Sequence, residues 1–509
     1  MGLEDQILEI KKQLEEEKRL NDKRALQFYA FVNANQYSSF FKAIDIIDSD
    51  RVTLLISKQE NVTDDKTVPA NVTLKPLQGG TLNIPAGKTL TINGHVEAGL
   101  YQWIEGDGSV VFNLQNSIQA IWFPGANIGA KINAAFTALA EGGTVNVHNG
   151  NFAYTTDIYV PRNSKIYYLK GAGYTSSILN YTGTGTALDA YVGDAHTVNI
   201  NLCDLTVFGS VAAACGVNIS ATQFSSLSNI KIQGFSGAMV KGLLLQAATQ
   251  GGQHTFNVYN SHFLNNSVNV GIENYNNVNF YGGSIEGGLK YNLAINGSIK
   301  VNFFGGLIEG LAVGGFNSIY IYGGSRRVRF YSVWIEENHD IQYPIYLDSS
   351  DANFYDCIFD MYDTNDLAKV ISLWTAGTDV IQVRNCIFSG YVTHPILKTT
   401  HTVLSGKWFV EENCSYSNVT NSFPSILEGS LVWDPGNLVD GAGETSGNIT
   451  VAGVAVTDTV IVYPPYSTQG ILCQGYVSAV NTVNIRLQNE TGGAIDLASG
   501  TWRVKVFRY

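Results

Sequence analysis

The sequence predicts an all-β chain built on a right-handed single-stranded parallel β-helix, with an N-terminal helical stub and a C-terminal antiparallel β-domain. Three observations lead there. The first is a recurring segment: NFYGGSIEG (Asn279 to Gly287), NFFGGLIEG (Asn302 to Gly310), RFYSVWIEE (Arg329 to Glu337) and NFYDCIFDM (Asn353 to Met361) are versions of one unit. VRNCIFSGY (Val383 to Tyr391) and EENCSYSNV (Glu411 to Val419) continue it, and CDLTVFG, SNIKIQG and NSHFLNN are weaker copies upstream. Aligned on Val207, Ile232, Phe263, Ile285, Ile308, Ile335, Phe359, Phe388 and Tyr416, they recur at intervals of 25, 31, 22, 23, 27, 24, 29 and 28 residues. Short β-rich units at such a period form a solenoid, because one unit cannot bury its apolar face alone. The second is the column two places before each anchor: Leu205, Ile230, Ser261, Gly283, Gly306, Val333, Cys357, Cys386 and Cys414. Strand side chains alternate, so this column faces the interior with the anchors. It is small or apolar throughout. The third is the run of Asn- and Gly-rich corners between units. A large β-sandwich explains neither these corners nor the aligned copies.

Residues 1–48 form the helical stub. Leu3, Ile7, Ile10 and Leu14 follow 4-3-4 spacing, and the heptad fails at Glu17 and Asn21. Two heptads suit an oligomerisation stub or the end of a longer coiled coil. An amphipathic helix docked on its own chain is the alternative. Residues 49–123 alternate turn residues with β-formers, as in GGTLNIPAGKTLTING. They are a small β-rich domain or the first coils of the solenoid. Residues 124–425 hold a capping helix and the β-helix. Ile128, Ile132, Ala135, Phe136 and Leu139 have helical spacing, and Gly142-Gly143 ends that helix. Residues 426–509 lack the repeat, and Val483, Ile485 and Leu487 alternate strictly before a Gly-Gly turn. This is a compact antiparallel β-domain.

Only 15% of the 509 residues are charged, and Gly (52), Tyr (27) and Phe (24) are abundant, which suits solenoids and glycan binders. A net charge of −12 argues against nucleic acid and anionic membrane as partners. No apolar run approaches a spanning helix, and the N-terminus lacks a signal-peptide layout, so synthesis in a cytoplasm is expected. Three of the six cysteines (Cys357, Cys386, Cys414) occupy the inward column, where reduced thiols act as small hydrophobes. No Cys-x-x-Cys pair or His cluster points to a metal. No nucleophile elbow, phosphate loop or dinucleotide fingerprint points to a cofactor.

GAKINAAFTALAEGGTVNVHNGNF, LKGAGYTSSIL and the repeated IEG and CIF units resemble the pectate-lyase-like β-helix superfamily, and within it the tailspikes and tail-fibre depolymerases of bacteriophages. YVSAVNTVNIRLQNETGGAIDLASGTWRV and GGTLNIPAGKTLTINGHVEAG are similar to segments at the two ends of such proteins. The resemblance implies three β-helices side by side in a homotrimer, attachment to the virion through the N-terminus, and a bacterial surface polysaccharide as the bound and often cleaved partner. It implies that the β-sandwich-like domain 426–509 serves trimerisation or glycan binding, and it implies location in the phage tail, with assembly in the host cytoplasm and action outside the cell.

The position after each anchor faces outward and reads Phe208, Gln233, Leu264, Glu286, Glu309, Glu336, Asp360, Ser389. Four consecutive coils thus present carboxylates at a spacing of about 5 Å, or about 10 Å for alternate coils. Retaining glycosidases use about 5–5.5 Å and inverting ones about 6.5–9.5 Å. Stacked like charges raise one another's pKa and favour a protonated acid beside an ionised base. Glu336 and Asp360 form the leading catalytic pair, with Glu309 and Glu286 in reserve. Glu337, Asp340, Asp363 and Asp366 add acidity nearby. Trp334 and Tyr362 offer faces to sugar rings, Arg326 and Arg329 hold acidic substituents, and Asp340 completes the substrate-binding set. The competing assignment is structural: corner carboxylates that accept backbone N–H groups of the next turn. Hydrolase, uronate lyase and purely adhesive fibre all fit this pattern.

Overall fold

A computed structural model describes residues 8–18, 31–47, 50–190, 199–220, 225–247, 255–312, 314–337, 344–361, 370–373, 380–390, 397–399, 408–416 and 426–507. The chain divides into two compact units, Met1–Tyr391 with Leu397–Asn418, and Val392–Ile396 with Val419–Tyr509.

The first unit is a three-sided parallel β-helix. The first face runs from Ser117–Gln119 to Trp408–Glu412, the second from Gly150–Tyr154 to Ser415–Tyr416, and the third from Ile158–Tyr159 to Leu397–Thr399. All pairings along these ladders are parallel. On the second face the nine anchors stack in unbroken register, Val207 on Ile232, Phe263, Ile285, Ile308, Ile335, Phe359, Phe388 and Tyr416.

The corner between the first and second faces turns on a left-handed residue in every coil, followed by a second one at Gly283 and Gly306. Asp204, Asn229, Asn260, Gly282, Gly305, Ser332, Asp356, Asn385 and Asn413 have φ of 59°, 54°, 42°, 66°, 66°, 54°, 55°, 54° and 53°. Asn, Asp and Gly tolerate this conformation at least cost, which explains the composition of the corners. The next residue points inward and is the small column: Leu205, Ile230, Ser261, Val333, Cys357 and Cys386 are all buried. At Gly306 an added Cβ would sit 2.9 Å from the Gly283 carbonyl oxygen, so no larger residue fits there. Beside this column the interior is filled by stacked rings: Phe280–Phe303, Phe303–Phe330 and Phe330–Phe354 have centroids 4.6, 4.8 and 4.8 Å apart.

Residues 50–112 also pair in parallel, Val52–Ile56 with Val72–Pro76, Leu82–Asn83 with Ile104–Glu105, and Thr89–Ile92 with Ser109–Phe112. They are coils of a short solenoid. The helix Ile128–Ala138 follows, its N-terminus capped by Asn127, whose side chain accepts from Ala130 N at 3.1 Å. Ile128, Ile132, Ala135, Phe136 and Leu139 are buried as the spacing requires. Residues 8–18 are helical and exposed along their length, including Ile10 and Leu14. That helix is not docked on its own chain over the described residues; Leu3 and Ile7 lie outside them.

The second unit is antiparallel. Gly500–Phe507 lies between Ile426–Trp433 and Thr459–Tyr463. Thr482–Gln488 pairs with Leu472–Ala479 and Gly443–Thr445. Its core holds Trp502, Val504, Val506, Val483, Ile485 and Leu487.

All six cysteines are free thiols. Cys357 and Cys386 are fully buried, whereas Cys414, expected to be equally buried, is only partly so. It precedes Ser415–Tyr416, the last strand described on that face. Cys357 and Cys386 should therefore resist a thiol reagent in native buffer and react in denaturant. Cys386→Asp should lower unfolding free energy by about 3 kcal/mol or more, because it buries an unpaired charge; denaturant titration measures this.

Candidate active site

The outward column of the second face forms as the repeat predicts. Glu286 pairs in register with Glu309, Glu309 with Glu336, Glu336 with Asp360, and Asp360 with Ser389. Neighbouring strands lie about 4.8 Å apart, so the column is an acidic row parallel to the solenoid axis. Trp334 shares the face two residues before Glu336 and is 45% exposed. It stacks in register between Leu307 and Ile358.

The strand carrying these residues is held from within. At the corner after it, the buried Asn269 donates through Nδ2 to the Glu286 carbonyl at 2.7 Å and to Asn292 Oδ1 at 2.8 Å. Asn292 Nδ2 donates in turn to the Glu309 carbonyl at 3.0 Å and to Ser318 Oγ at 3.0 Å. This interior amide ladder ties the backbone of the acidic residues to the next face and fixes where their side chains emerge.

The four acids do not share one environment. Glu286, Glu309 and Glu336 are partly buried residues, and among the described residues their carboxylates accept no hydrogen bond from the backbone. Burial pushes the Glu309 carboxyl above the ordinary glutamate range, and the charges of Glu336 and Glu286 on either side push it in the same direction. Asp360 keeps its place in the outward column but is not exposed there. It is buried, 8% exposed, and Ser389 Oγ donates to its Oδ1 at 2.6 Å. The serine of the next coil is its partner across the ladder.

Glu337 is a second correction. It adds nothing to the outward acidity, because strand alternation turns it into the interior, where it is 3% exposed. Its Oε1 accepts from the backbone N–H of Leu311 in the coil before, at 2.9 Å. The structural role anticipated for the outward column is thus performed by the adjacent inward carboxylate. Arg326 and Arg329 lie on the first face, before the Ser332 corner, with Arg329 in register between Asn302 and Asn353. Among the described residues no ion pair joins them to the acidic column. Asp340, Tyr362, Asp363 and Asp366 lie outside the described residues. His262 is outward, with Nδ1 2.8 Å from Ser284 Oγ.

Two features escaped the repeat analysis. One is the amide ladder just described; its signal is Asn269 and Asn292 at equivalent places, each seventeen residues before Glu286 and Glu309 in sequence, on a third-face strand of the preceding coil. The other is an outward aromatic stack on the first face, Tyr259, Tyr281, Phe304, Tyr331 and Tyr355, with centroids 5.1 to 5.2 Å apart and planes within 14°. The residue before each corner carries that signal. These rings face one another and present edges to solvent, so they serve the stack and are no platform for a sugar ring.

No family model matches the sequence, and no curated protein matches it. Several solved structures are similar in fold. ORF18 of Geobacillus virus E2 is 14% identical with a TM-score of 0.45, covering 75% of this chain and 78% of its own. The enzymatically active domain of bacteriophage CBA120 tailspike protein 2 is 11% identical with a TM-score of 0.44, covering 78% and 76%. A tailspike protein of Acinetobacter baumannii bacteriophage Fri1, described as a capsular polysaccharide depolymerase, is 11% identical with a TM-score of 0.37, covering 77% and 86%.

Two outcomes follow from the site. Glu337→Ala should cost about 1–3 kcal/mol, since it leaves a buried N–H unpaired, while Glu336→Ala should leave stability near wild type; denaturant unfolding of both separates the structural from the free carboxylate. Because the folded state raises the Glu309 pKa, it binds that proton more tightly than the unfolded chain does. Glu309 therefore favours folding below the ordinary glutamate pKa, and this contribution is lost as pH rises through the folded value. Glu309→Gln should raise Tm at neutral pH relative to wild type, and the gain should shrink at acidic pH.

Proposed function

We propose that this chain is a phage tailspike-type depolymerase that binds and hydrolyses a bacterial surface polysaccharide with paired carboxylates on the second face of its β-helix. The observation that carries this reading is the free part of the column. Glu286, Glu309 and Glu336 stand in register, no backbone group engages their carboxylates among the described residues, and burial together with the like charges on either side raises the Glu309 pKa. A protonated carboxyl beside an ionised one is what glycosidic cleavage requires.

Glu309 donates its proton to the glycosidic oxygen as the bond breaks. Glu336, one coil on, attacks the anomeric carbon at the roughly 5 Å carboxylate spacing of retaining enzymes. Glu309, now ionised, then takes a proton from the water that hydrolyses the glycosyl-enzyme. Asp360 is the alternative partner of Glu336, with its carboxylate set closer to the sheet. Trp334 lies beside Glu336 on the same face and supports a sugar ring. Arg326, Arg329, Asp340 and Tyr362 complete the proposed substrate contacts, the arginines reaching the chain only where it passes the Ser332 corner. The active form is a homotrimer attached to the virion through its N-terminal part, with Ile10 and Leu14 of the exposed helix as the trimer seam.

An adhesive fibre is the second reading. Leu307, Trp334, Ile358 and Ile387 form an apolar column beside the acids, with Ile387 44% exposed, and such a stripe also suits packing against another copy.

Glu309→Gln and Glu336→Gln should each lower release of reducing ends from polysaccharide by a factor of about 10² or more, without loss of Tm. Appearance of an unsaturated-uronate absorbance in place of simple reducing ends would make the enzyme a lyase. Full activity in both variants would place the site elsewhere.

A further inference from the structure

Higher on the second face a groove of about 400 Å3 is lined by Asn151, Asn180, Phe208, Lys231 and Gln233 and closed on one side by Tyr174. It belongs to the same two outward columns as the proposed site. Asn180, Phe208, Gln233 and Leu264 stack in register onto Glu286, and Lys231 and His262 stack onto Ser284 and Leu307. Groove and acids therefore form one surface along the solenoid axis. Lys231 stands three strands from the Glu309 coil, roughly 14 Å at the spacing of parallel strands.

The wall of the groove is built firmly. Gly173 N donates to the Asp204 carbonyl at 2.8 Å, and Thr206 Oγ1 donates to the Tyr174 carbonyl at 2.5 Å. Ser177 Oγ accepts from Ala172 N at 2.8 Å and donates toward the Val147 and His148 carbonyls at 3.1 and 3.0 Å. The Tyr174 ring rests 5.7 Å from the His262 ring. A loop tied at both ends in this way holds its tyrosine over the sheet without a ligand.

The lining has the chemistry of a sugar subsite. Phe208 is 37% exposed and offers an apolar surface. The side-chain amides of Asn180 and Gln233 are without hydrogen-bond partners among the described residues, as is the Lys231 ammonium, which makes no ion pair there. Surfaces that leave a cation, two amides and a ring open together suit a hydroxyl-rich ligand carrying a negative charge.

We propose that this groove is a binding subsite for an anionic sugar of the same polysaccharide, with Lys231 on the sugar's acidic group, Asn180 and Gln233 on its hydroxyls and Phe208 beneath its ring. The inference rests on the depolymerase reading and adds the substrate class: a glycan whose acidic group lies roughly 14 Å, three coils, from the linkage placed at Glu309. Anionic substituents are received where the face carries Lys231 and kept off the stretch where it carries Glu286 to Asp360.

The test uses the full chain and a panel of uronate-containing bacterial capsular polysaccharides, each native and after chemical reduction of its carboxyl groups, read by retardation in affinity electrophoresis. Wild type should bind at least one native polymer about tenfold more tightly than its reduced form. Lys231→Met should lose that difference and Lys231→Arg should keep it, because one charge-assisted hydrogen bond accounts for a factor of this order. Phe208→Ala should weaken binding to both forms. Glu309→Gln should bind like wild type and fail to cleave. Equal binding of native and reduced polymers by wild type, binding of neither, or unaltered discrimination in Lys231→Met overturns the proposal. Cleavage by Glu309→Gln at the wild-type rate brings down the catalytic reading and leaves the groove standing.

Discussion

Register between successive coils is the constraint from which the rest of the molecule follows. Parallel strands pair residue for residue, so whatever occupies one position of a coil is placed about 4.8 Å from its counterpart in the next. The left-handed residue that opens each second-face strand preserves this register. Because Asp204, Asn229, Gly282, Ser332 and Asn385 all turn the chain in the same way, the strand after them starts at the same height every time. Insertions are absorbed at the other corners, which is why the repeat length varies while the second face stays aligned.

Register makes columns, and columns amplify chemistry. Inside, a column of phenylalanines becomes a continuous stack, and a column of asparagines becomes a hydrogen-bonded ladder whose amides satisfy one another and the strand carbonyls. Outside, a column of glutamates becomes an electrostatic liability. Glu309, between Glu286 and Glu336, is destabilised in its ionised form by burial and by both neighbours. A protein gains no stability from such an arrangement, and the carboxylate that does support the fold, Glu337, points the other way. Local strain of this sort with no structural return is a mark of a working surface. The apolar column through Trp334 and the groove near Lys231 extend that surface along the axis.

Much of this was legible in the sequence because alternation and repetition are themselves the architecture. Nine anchors, the inward Cys357 and Cys386, the helix Ile128–Ala138 and the acidic column could be placed by period alone. What the period could not supply was depth. Glu336 and Asp360 hold equivalent positions, yet the aspartate is buried and bonded to the serine of the following coil. Glu337 looked like added acidity until alternation was followed one residue further. Arg326 and Arg329 are near Glu336 in sequence, but the Ser332 corner lies between them and assigns them to another face. The groove depends on a loop, residues 171–176, folded across strands that are distant in sequence, and no local pattern announces such a crossing.

The central claim is that a glycosidic oxygen is presented to the free carboxylates of the second face. The structure of Glu309→Gln bound to an oligosaccharide of a polysaccharide it retains tests this most directly. The account predicts a chain lying along the second face, its acidic sugar at Lys231 and one glycosidic oxygen within about 2.6–3.2 Å of the residue 309 side chain. A chain bound on the first face or on the C-terminal unit, or a second face covered by another copy of the protein, would contradict it.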